Sequence, residues 1–236
     1  MAKEHPHKLG SVGREKGVIS IIRELIFGAE DGLVSILGLV TGVATGTANS
    51  KVVLVAGVAG AVSGAISMAV GNYLGVKAHI EVLERLLKQE RESILEQPEH
   101  ERAELINYYR ERGLTLDEIR VIVPAIMRNE GFLLEEMSAH ELGISPRELT
   151  SPVTKAFWMF VAYIIAALLP ILPYAFLTQN HALKISILGT LIALFGIGAG
   201  KTVYTKRNWL KSGFEMLIMA VVAGLLGYLA GRIVHL

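Results

Sequence analysis

Five long stretches of this chain contain no charged residue, and this feature limits the folds that are open to it. The stretches are residues 32–50, 52–76, 156–183, 185–200 and 216–231. An α-helix rises about 1.5 Å per residue, so about 20 apolar residues cross a hydrocarbon layer that is about 30 Å thick. We therefore predict an all-α protein with five transmembrane helices. With their flanking residues, the spans are predicted at 28–49, 52–76, 154–178, 183–203 and 212–234.

The acidic residues are concentrated between the second and third spans. Residues 77–152 hold 16 of the 22 carboxylates and 10 lysines and arginines, whereas the rest of the chain is basic. Apolar residues in this block recur at helical spacing, and Pro98, Gly113 and Gly143 are typical helix ends. Thr115–Glu118 matches a capping box. We predict an inserted helical domain of three or four helices.

This pattern gives a domain organisation and an orientation. Cytoplasmic loops carry an excess of lysine and arginine, and such residues cluster before span one and between spans four and five. The turns on the opposite side contain only Lys51 and Lys184. We predict a cytoplasmic N-terminal segment, a cytoplasmic insert and a C-terminus across the membrane, and we expect the cell membrane rather than an organelle. The predicted domains are 1–27, spans one and two at 28–76, the acidic insert at 77–152, and spans three to five at 153–236.

Three carboxylates lie at the start of span one. Glu24 and Asp31 are seven residues apart, which is two helical turns, and share one helix face, with Glu30 beside them. A carboxylate within a span costs roughly 2.5–3.5 kcal/mol on insertion scales, so it normally faces a cavity or a partner. The alternative is that span one starts only at Gly32, which leaves all three acids at the membrane surface.

Span two carries a methionine and an amide one turn apart, Met68 and Asn72. A single methionine in a membrane helix usually serves packing. A thioether beside carboxylates and an amide is also a plausible site for a borderline transition metal, and a poor one for Mg²⁺ or Ca²⁺.

The insert contains further candidate metal ligands. Glu81 and Glu84 are three residues apart, as are Glu101 and Glu104, so each pair shares a helix face. A solvated helix surface is the alternative for any single glutamate. Residues 77–104, however, contain eight acidic and only five basic residues. Like charges three or four residues apart destabilise a helix unless a cation lies between them. The other candidates are Glu90, Glu92, Glu135, Glu136, Met137, His140 and Glu141.

The sequence lacks the motifs of several other functional classes. The insert has no Glu-x-x-His pair, so a ferritin-like di-iron centre is unsupported. The absence of cysteine excludes thiolate sites, and we find no nucleophile elbow, phosphate loop or dinucleotide fingerprint. We expect no enzymatic activity, no nucleic-acid binding and no cofactor beyond a transported or bound divalent metal.

Small residues recur at four-residue spacing in the spans, which lets helix backbones approach closely. Packing within one bundle is the simpler interpretation. Because five spans make a small bundle, we also expect a homodimer that shares one pathway. The pairs are Gly42/Gly46, Gly60/Gly64, Gly196/Gly200 and Gly227/Gly231.

Five motifs occur together in this chain. They are Glu24-(x)6-Asp31-Gly-Leu-Val-Ser, Ser67-Met-Ala-x-Gly-x-Tyr, Glu141-Leu-Gly, Leu172-Pro-Tyr and Trp209-(x)2-Ser-Gly-x-Glu215-Met. Over residues 20–235 this combination resembles the vacuolar iron transporter family. The resemblance implies a five-helix dimer that exports Fe²⁺, and sometimes Mn²⁺, from the cytosol in exchange for protons. It also implies a cytoplasmic metal-binding domain between spans two and three.

The resemblance assigns roles to individual residues. It implies that Glu24, Asp31 and Met68 line the translocation path. The chain departs from the family at Asn72, where a glutamate is common, and at Ser93, where we expect the glutamate partner of Glu90. Glu92 and Glu136 are candidate substitutes for that glutamate. The ligands that the resemblance implies in the insert are Glu90, Glu101, Glu104, Met137 and Glu141.

We therefore predict a metal–proton antiporter for Fe²⁺ or Mn²⁺ in a lipid bilayer, with Zn²⁺ and Co²⁺ as competitors. An intramembrane carboxylate binds either a metal ion or a proton, so it can exchange one for the other. The alternative is a membrane-anchored metal buffer or sensor, in which the insert binds ions and nothing crosses. A metal-independent assembly protein is a third reading.

Overall fold

The computed structural model describes residues 9–47, 49–141 and 151–234, with side chains from residue 21 onward and without that of Glu141. Over these residues the chain forms ten α-helices and no strand, which confirms the all-α class. The helices are α1 (Leu9–Gly46), α2 (Ser50–Glu96), α3 (Pro98–Glu111), α4 (Leu116–Met127), α5 (Glu130–Glu141), α6 (Pro152–Ile171), α7 (Pro173–Phe176), α8 (Gln179–Gly200), α9 (Thr202–Thr205) and α10 (Trp209–Val234).

Within the described ranges, five stretches are long and apolar enough to cross a membrane, as predicted. They lie within α1, α2, α6, α8–α9 and α10. The first already includes Ile21, and α1 runs without a break through the acidic residues before Gly32. The third ends at Ile171 rather than near residue 178, since Pro173 has no N–H to continue the helix and a separate short helix follows.

The chain divides into two compact units. The first consists of Met1–Tyr73 and Pro152–Leu236, and the second of Leu74–Ser151. The long helix α2 contributes residues to both. The cytoplasmic location of the second unit stays a prediction.

In the first unit, glycines let α1 lie against two other helices. On one face, a Cβ added at Gly32 would stand 2.5 Å from the carbonyl oxygen of Tyr163 in α6. On another face, a Cβ at Gly42 would stand 2.9 Å from the carbonyl oxygen of Gly227 in α10. Only residues without a side chain fit these contacts, so α1 is held between α6 and α10 by direct backbone packing.

The second unit has its own apolar core, which includes Leu105, Val123 and Met137. The predicted capping box is present at the start of α4: Thr115 accepts a hydrogen bond from the Glu118 backbone, and Glu118 accepts one from the Thr115 backbone. The Thr115 backbone N–H, and to a smaller extent the Thr115 hydroxyl, donate to the Glu118 carboxylate and lower its pKa below the usual value. The local signal therefore positions this helix as predicted.

Candidate metal sites

Among the carboxylates whose side chains the structure describes in the first unit, Glu24 is the most deeply buried, with 2% of its surface exposed. Asn72 of α2 donates a hydrogen bond from Nδ2 to Glu24 Oε2. The same Nδ2 lies 3.2 Å from Met159 Sδ on α6. Three helices thus bring a carboxylate, an amide and a thioether to one point, and these are donor types that borderline divalent metals accept.

The neighbouring residues on α1 explain how Met159 reaches Glu24. Gly28 follows Glu24 by one helical turn, and a Cβ added there would stand 2.6 Å from the Met159 carbonyl oxygen. The backbones of α1 and α6 therefore touch beside Glu24. Met159 is not among the site residues predicted above, because nothing local in span three distinguishes it from a packing methionine.

Asp31 lies two turns further along α1 and is partly buried. It accepts a hydrogen bond of 3.1 Å from Ser35 Oγ. Tyr163 is buried beside both: Ser35 is a hydrogen-bond partner of its hydroxyl, and Asp31 is its charged neighbour. The Tyr163 hydroxyl occupies the space that a Cβ of Gly64 would fill.

Met68 is partly buried and packs against the apolar cluster that contains Tyr163. The predicted path residues thus fall into two groups on one helix bundle. Glu24 and Asn72 are in direct contact, whereas Asp31 accepts a hydrogen bond from Ser35. Tyr163, like Met159, was missed by the sequence prediction. The spacing of Gly28 and Gly32 marks a close helix contact, but it does not identify the partner helix.

In the second unit, two of the predicted ligands are buried carboxylates: Glu90 is 7% exposed and Glu101 is 2% exposed. Ser93 Oγ donates a hydrogen bond of 2.5 Å to Glu101 Oε1. The other carboxylate oxygen, Glu101 Oε2, is buried and has no hydrogen-bond partner within the described part of the chain. A buried anionic oxygen without a donor is a position that a cation would satisfy.

Two other glutamates of the second unit, Glu104 and Glu136, contact a histidine and a tyrosine. Glu104 lies 3.2 Å from His100 Nε2. Glu136 accepts a 2.6 Å hydrogen bond from Tyr109 Oη. Burial is the main cause that raises the pKa of Tyr109 above its usual value, and the hydrogen bond to Glu136 is the next largest. The phenol therefore stays protonated.

The outermost candidates are solvent-exposed. Glu81 lies 3.8 Å from Lys77, Glu92 lies 3.7 Å from Lys88, and Glu84 is exposed on the same helix. The side chain of Glu141 lies outside the described residues. Among those that are described, no three histidine, aspartate or glutamate side chains converge where a metal ion would fit. The candidate sites therefore combine carboxylates with amide, hydroxyl or thioether groups.

Comparison with known proteins identifies the family. A family model described as the VIT family matches residues 22–232. The chain belongs to the VIT family. Vacuolar iron transporter 1 of Arabidopsis thaliana is 32% identical over 91% of this chain and 86% of its own length. Vacuolar iron transporter 2 of Oryza sativa subsp. japonica is 31% identical over 93% of this chain and 87% of its own length.

A more distant relative of this VIT-family chain is the vacuolar iron transporter of Plasmodium falciparum, which is 24% identical over 89% of the chain. The family prediction from the five motifs is thus confirmed. These names place the relatives at a vacuole, so they give no support to the cell membrane as the location of this chain.

Proposed function

We propose that this VIT-family chain is a membrane transporter that moves Fe²⁺ or Mn²⁺ out of the cytosol in exchange for protons. The observation that carries the proposal is the buried Glu24 carboxylate within an apolar helix, with Asp31 two turns further along. The names of the relatives, vacuolar iron transporters, support a metal cargo and favour iron.

The physical basis is competition for a carboxylate. In a medium of low polarity a bare carboxylate is unfavourable, and either a proton or a metal ion removes the penalty. Release of one therefore favours binding of the other, which is the requirement for exchange. Oxygen donors with a thioether suit Fe²⁺ better than Mg²⁺ or Ca²⁺, and Zn²⁺ and Co²⁺ compete because affinity rises along that series.

In this proposal the second unit collects ions on the cytoplasmic side. The buried oxygen of Glu101 and the buried carboxylate of Glu90 are its strongest candidate ligands. The chain acts as a homodimer in the lipid bilayer. Gly196 and Gly200 support this part, because no atom of another helix in the described part of the chain lies within 4 Å of a Cβ added at either position, so this face of α8 is open to a second copy.

The test is metal uptake by liposomes that contain the purified full chain, with and without a pH gradient. We expect Mn²⁺ or Fe²⁺ flux that the gradient accelerates, and a loss of at least about tenfold in Asp31→Ala, in line with the loss of a metal-binding group. Asp117→Ala is the matched control, because the Asp117 side chain is 93% exposed in the second unit.

Normal flux in Asp31→Ala contradicts the assigned path. Metal binding by the full chain without any flux instead supports a membrane-anchored buffer or sensor. One observation favours that second function: Asn72, which contacts Glu24, is an amide, and an amide neither gains nor releases a proton near neutral pH.

A further inference from the structure

We propose that Met159 is a metal ligand that completes, with Glu24 and Asn72, a three-donor site for a divalent transition metal. The site rests on the proposed transport function and adds to it a residue that lies outside the family motifs described above. Its donors are one carboxylate oxygen, one amide oxygen and one thioether sulfur. They come from α1, α2 and α6 respectively.

The first argument is the direction of the Met159 side chain. Met159 is 2% exposed, as a packing methionine would be, yet its sulfur lies 3.2 Å from an amide nitrogen rather than among apolar atoms only. The backbone contact at Gly28 holds this part of α6 against the helix that carries Glu24. The thioether is therefore fixed next to a buried carboxylate.

The second argument is the charge pattern at the centre of the three side chains. The Asn72 amide hydrogens, which are partially positive, lie between the Glu24 oxygen and the Met159 sulfur. Two electron-pair donors thus converge on one point of positive charge. A divalent cation satisfies that arrangement more strongly than an amide N–H does.

The third argument is the other end of the amide. Asn72 Oδ1 is buried and has no hydrogen-bond partner among the residues that the structure describes. Rotation of the amide by about 180° about its terminal torsion, which is a soft two-fold rotor, exchanges the positions of nitrogen and oxygen. The oxygen loses no hydrogen bond in this rotation and gains a metal. The amide nitrogen gives up its contacts with Glu24 and Met159, and the metal replaces it as the partner of both.

These donors also determine how the site discriminates and releases its ion. The thioether favours softer divalent ions, so Cd²⁺ is a sharper probe of it than Mn²⁺, which prefers oxygen. Glu24 is the only charged donor, so a bound divalent ion leaves the site with a net positive charge. This uncompensated positive charge weakens binding, so the ion can also be released from the site.

The first test is NMR of the full chain in detergent with ¹³C-labelled methionine methyl groups. The chain has seven methionines, and Met159→Leu identifies the Met159 signal by its loss. We expect Cd²⁺ to shift the Met159 signal and leave the signal of Met219, which is 58% exposed on α10, in place. Asn72→Leu should abolish the shift. A Met159 signal that does not move at saturating Cd²⁺ overturns the proposal.

The second test is competition in liposomes between Cd²⁺ and Mn²⁺. Met159→Leu should weaken the apparent affinity for Cd²⁺ by about tenfold or more and that for Mn²⁺ much less. Met219→Leu is the control and should change neither, and both exchanges conserve side-chain volume. An unchanged preference in Met159→Leu counts against the site. If the wild type moves no metal at all, the transport function fails, and the methyl signal still decides the site.

Discussion

Ser93 is the residue that most alters the metal chemistry we expect of the second unit. Its hydroxyl donates to Glu101 Oε1, while Glu101 Oε2 remains buried without a donor within the described residues. A hydroxyl compensates one carboxylate oxygen but adds no negative charge. When no metal is bound, one oxygen of the buried Glu101 carboxylate therefore has a hydrogen-bond donor. With serine at position 93, the second unit also has one charged ligand fewer than it would have with glutamate there.

We predict that Ser93→Glu strengthens metal binding and weakens the metal-free fold. Without metal, a new carboxylate beside Glu101 adds like-charge repulsion and removes the hydrogen bond, so the melting temperature falls. With Mn²⁺, the rise in melting temperature should exceed that of the wild type, because a tighter ligand stabilises the folded form further. Thermal unfolding of the full chain at several Mn²⁺ concentrations measures both effects.

Ser93→Ala is the matched control for this prediction. It removes a hydrogen bond to a charged group, worth about 1.5–3 kcal/mol, and adds no ligand. It should lower the melting temperature without increasing the metal-dependent rise. Equal rises in Ser93→Glu and the wild type would contradict a role for this position in metal binding.

Among the helices, α1 and α10 show how the glycine spacing is used. Gly42 faces Gly227, and Gly46 faces Gly231. A Cβ added at Gly42 or Gly46 would stand 2.9 or 3.2 Å, respectively, from the carbonyl oxygen of the opposing glycine. Two of the four glycine pairs therefore pack against each other within one chain. A third pair, Gly196/Gly200, has no neighbour at this distance among the residues that the structure describes.

We predict that Gly227→Ala destabilises the bundle. The new methyl would meet the backbone carbonyl of Gly38, which cannot rotate away as a side chain can. Overpacking of this kind costs about 1–3 kcal/mol, so the melting temperature of the full chain in detergent should fall. Gly75→Ala in α2, where a new methyl has open space in the described structure, should leave it unchanged or slightly higher, because alanine is the better helix former. Equal melting temperatures for the two variants would show that the α1–α10 contact is not tight.

Across the whole molecule, charge is divided between the acidic block and the basic remainder. The sum is only +1, yet residues 77–152 hold 16 of the 22 acids. The positive-inside pattern predicts that this block faces the cytoplasm, where under the proposed function it would meet the cations to be exported. The same pattern places the segment that ends at Thr178, just before α8, on the opposite side.

The absence of cysteine makes this orientation directly measurable, because each cysteine variant carries a single thiol. In cells that express the chain at their surface membrane, a membrane-impermeant maleimide should label Thr178→Cys, which lies between the third and fourth spans, at once. Gln97→Cys should react only after permeabilisation. Both positions are exposed, so their labelling differs by side and not by burial. The reverse pattern would invert the predicted direction of transport.

Much of the fold could be predicted because its signals are local. Charge-free stretches define the five spans, and four residues at Thr115–Glu118 start α4 as expected. The helix ends were predicted less accurately, as at Pro173. The site was predicted only in part, since Glu24 and Asp31 are unusual in any apolar helix, whereas Met159 is an ordinary residue of a membrane span.

The sequence by itself determined the helical class, the spans and the carboxylates on α1, because periodicity and the penalty for a membrane charge act within one helix. Only the tertiary structure decided what those carboxylates meet. Asn72 lies 48 residues from Glu24, and Met159 lies 87 residues from Asn72. Their meeting depends on which helices Gly28 and Gly32 bring together, and no pattern within one helix encodes its partner.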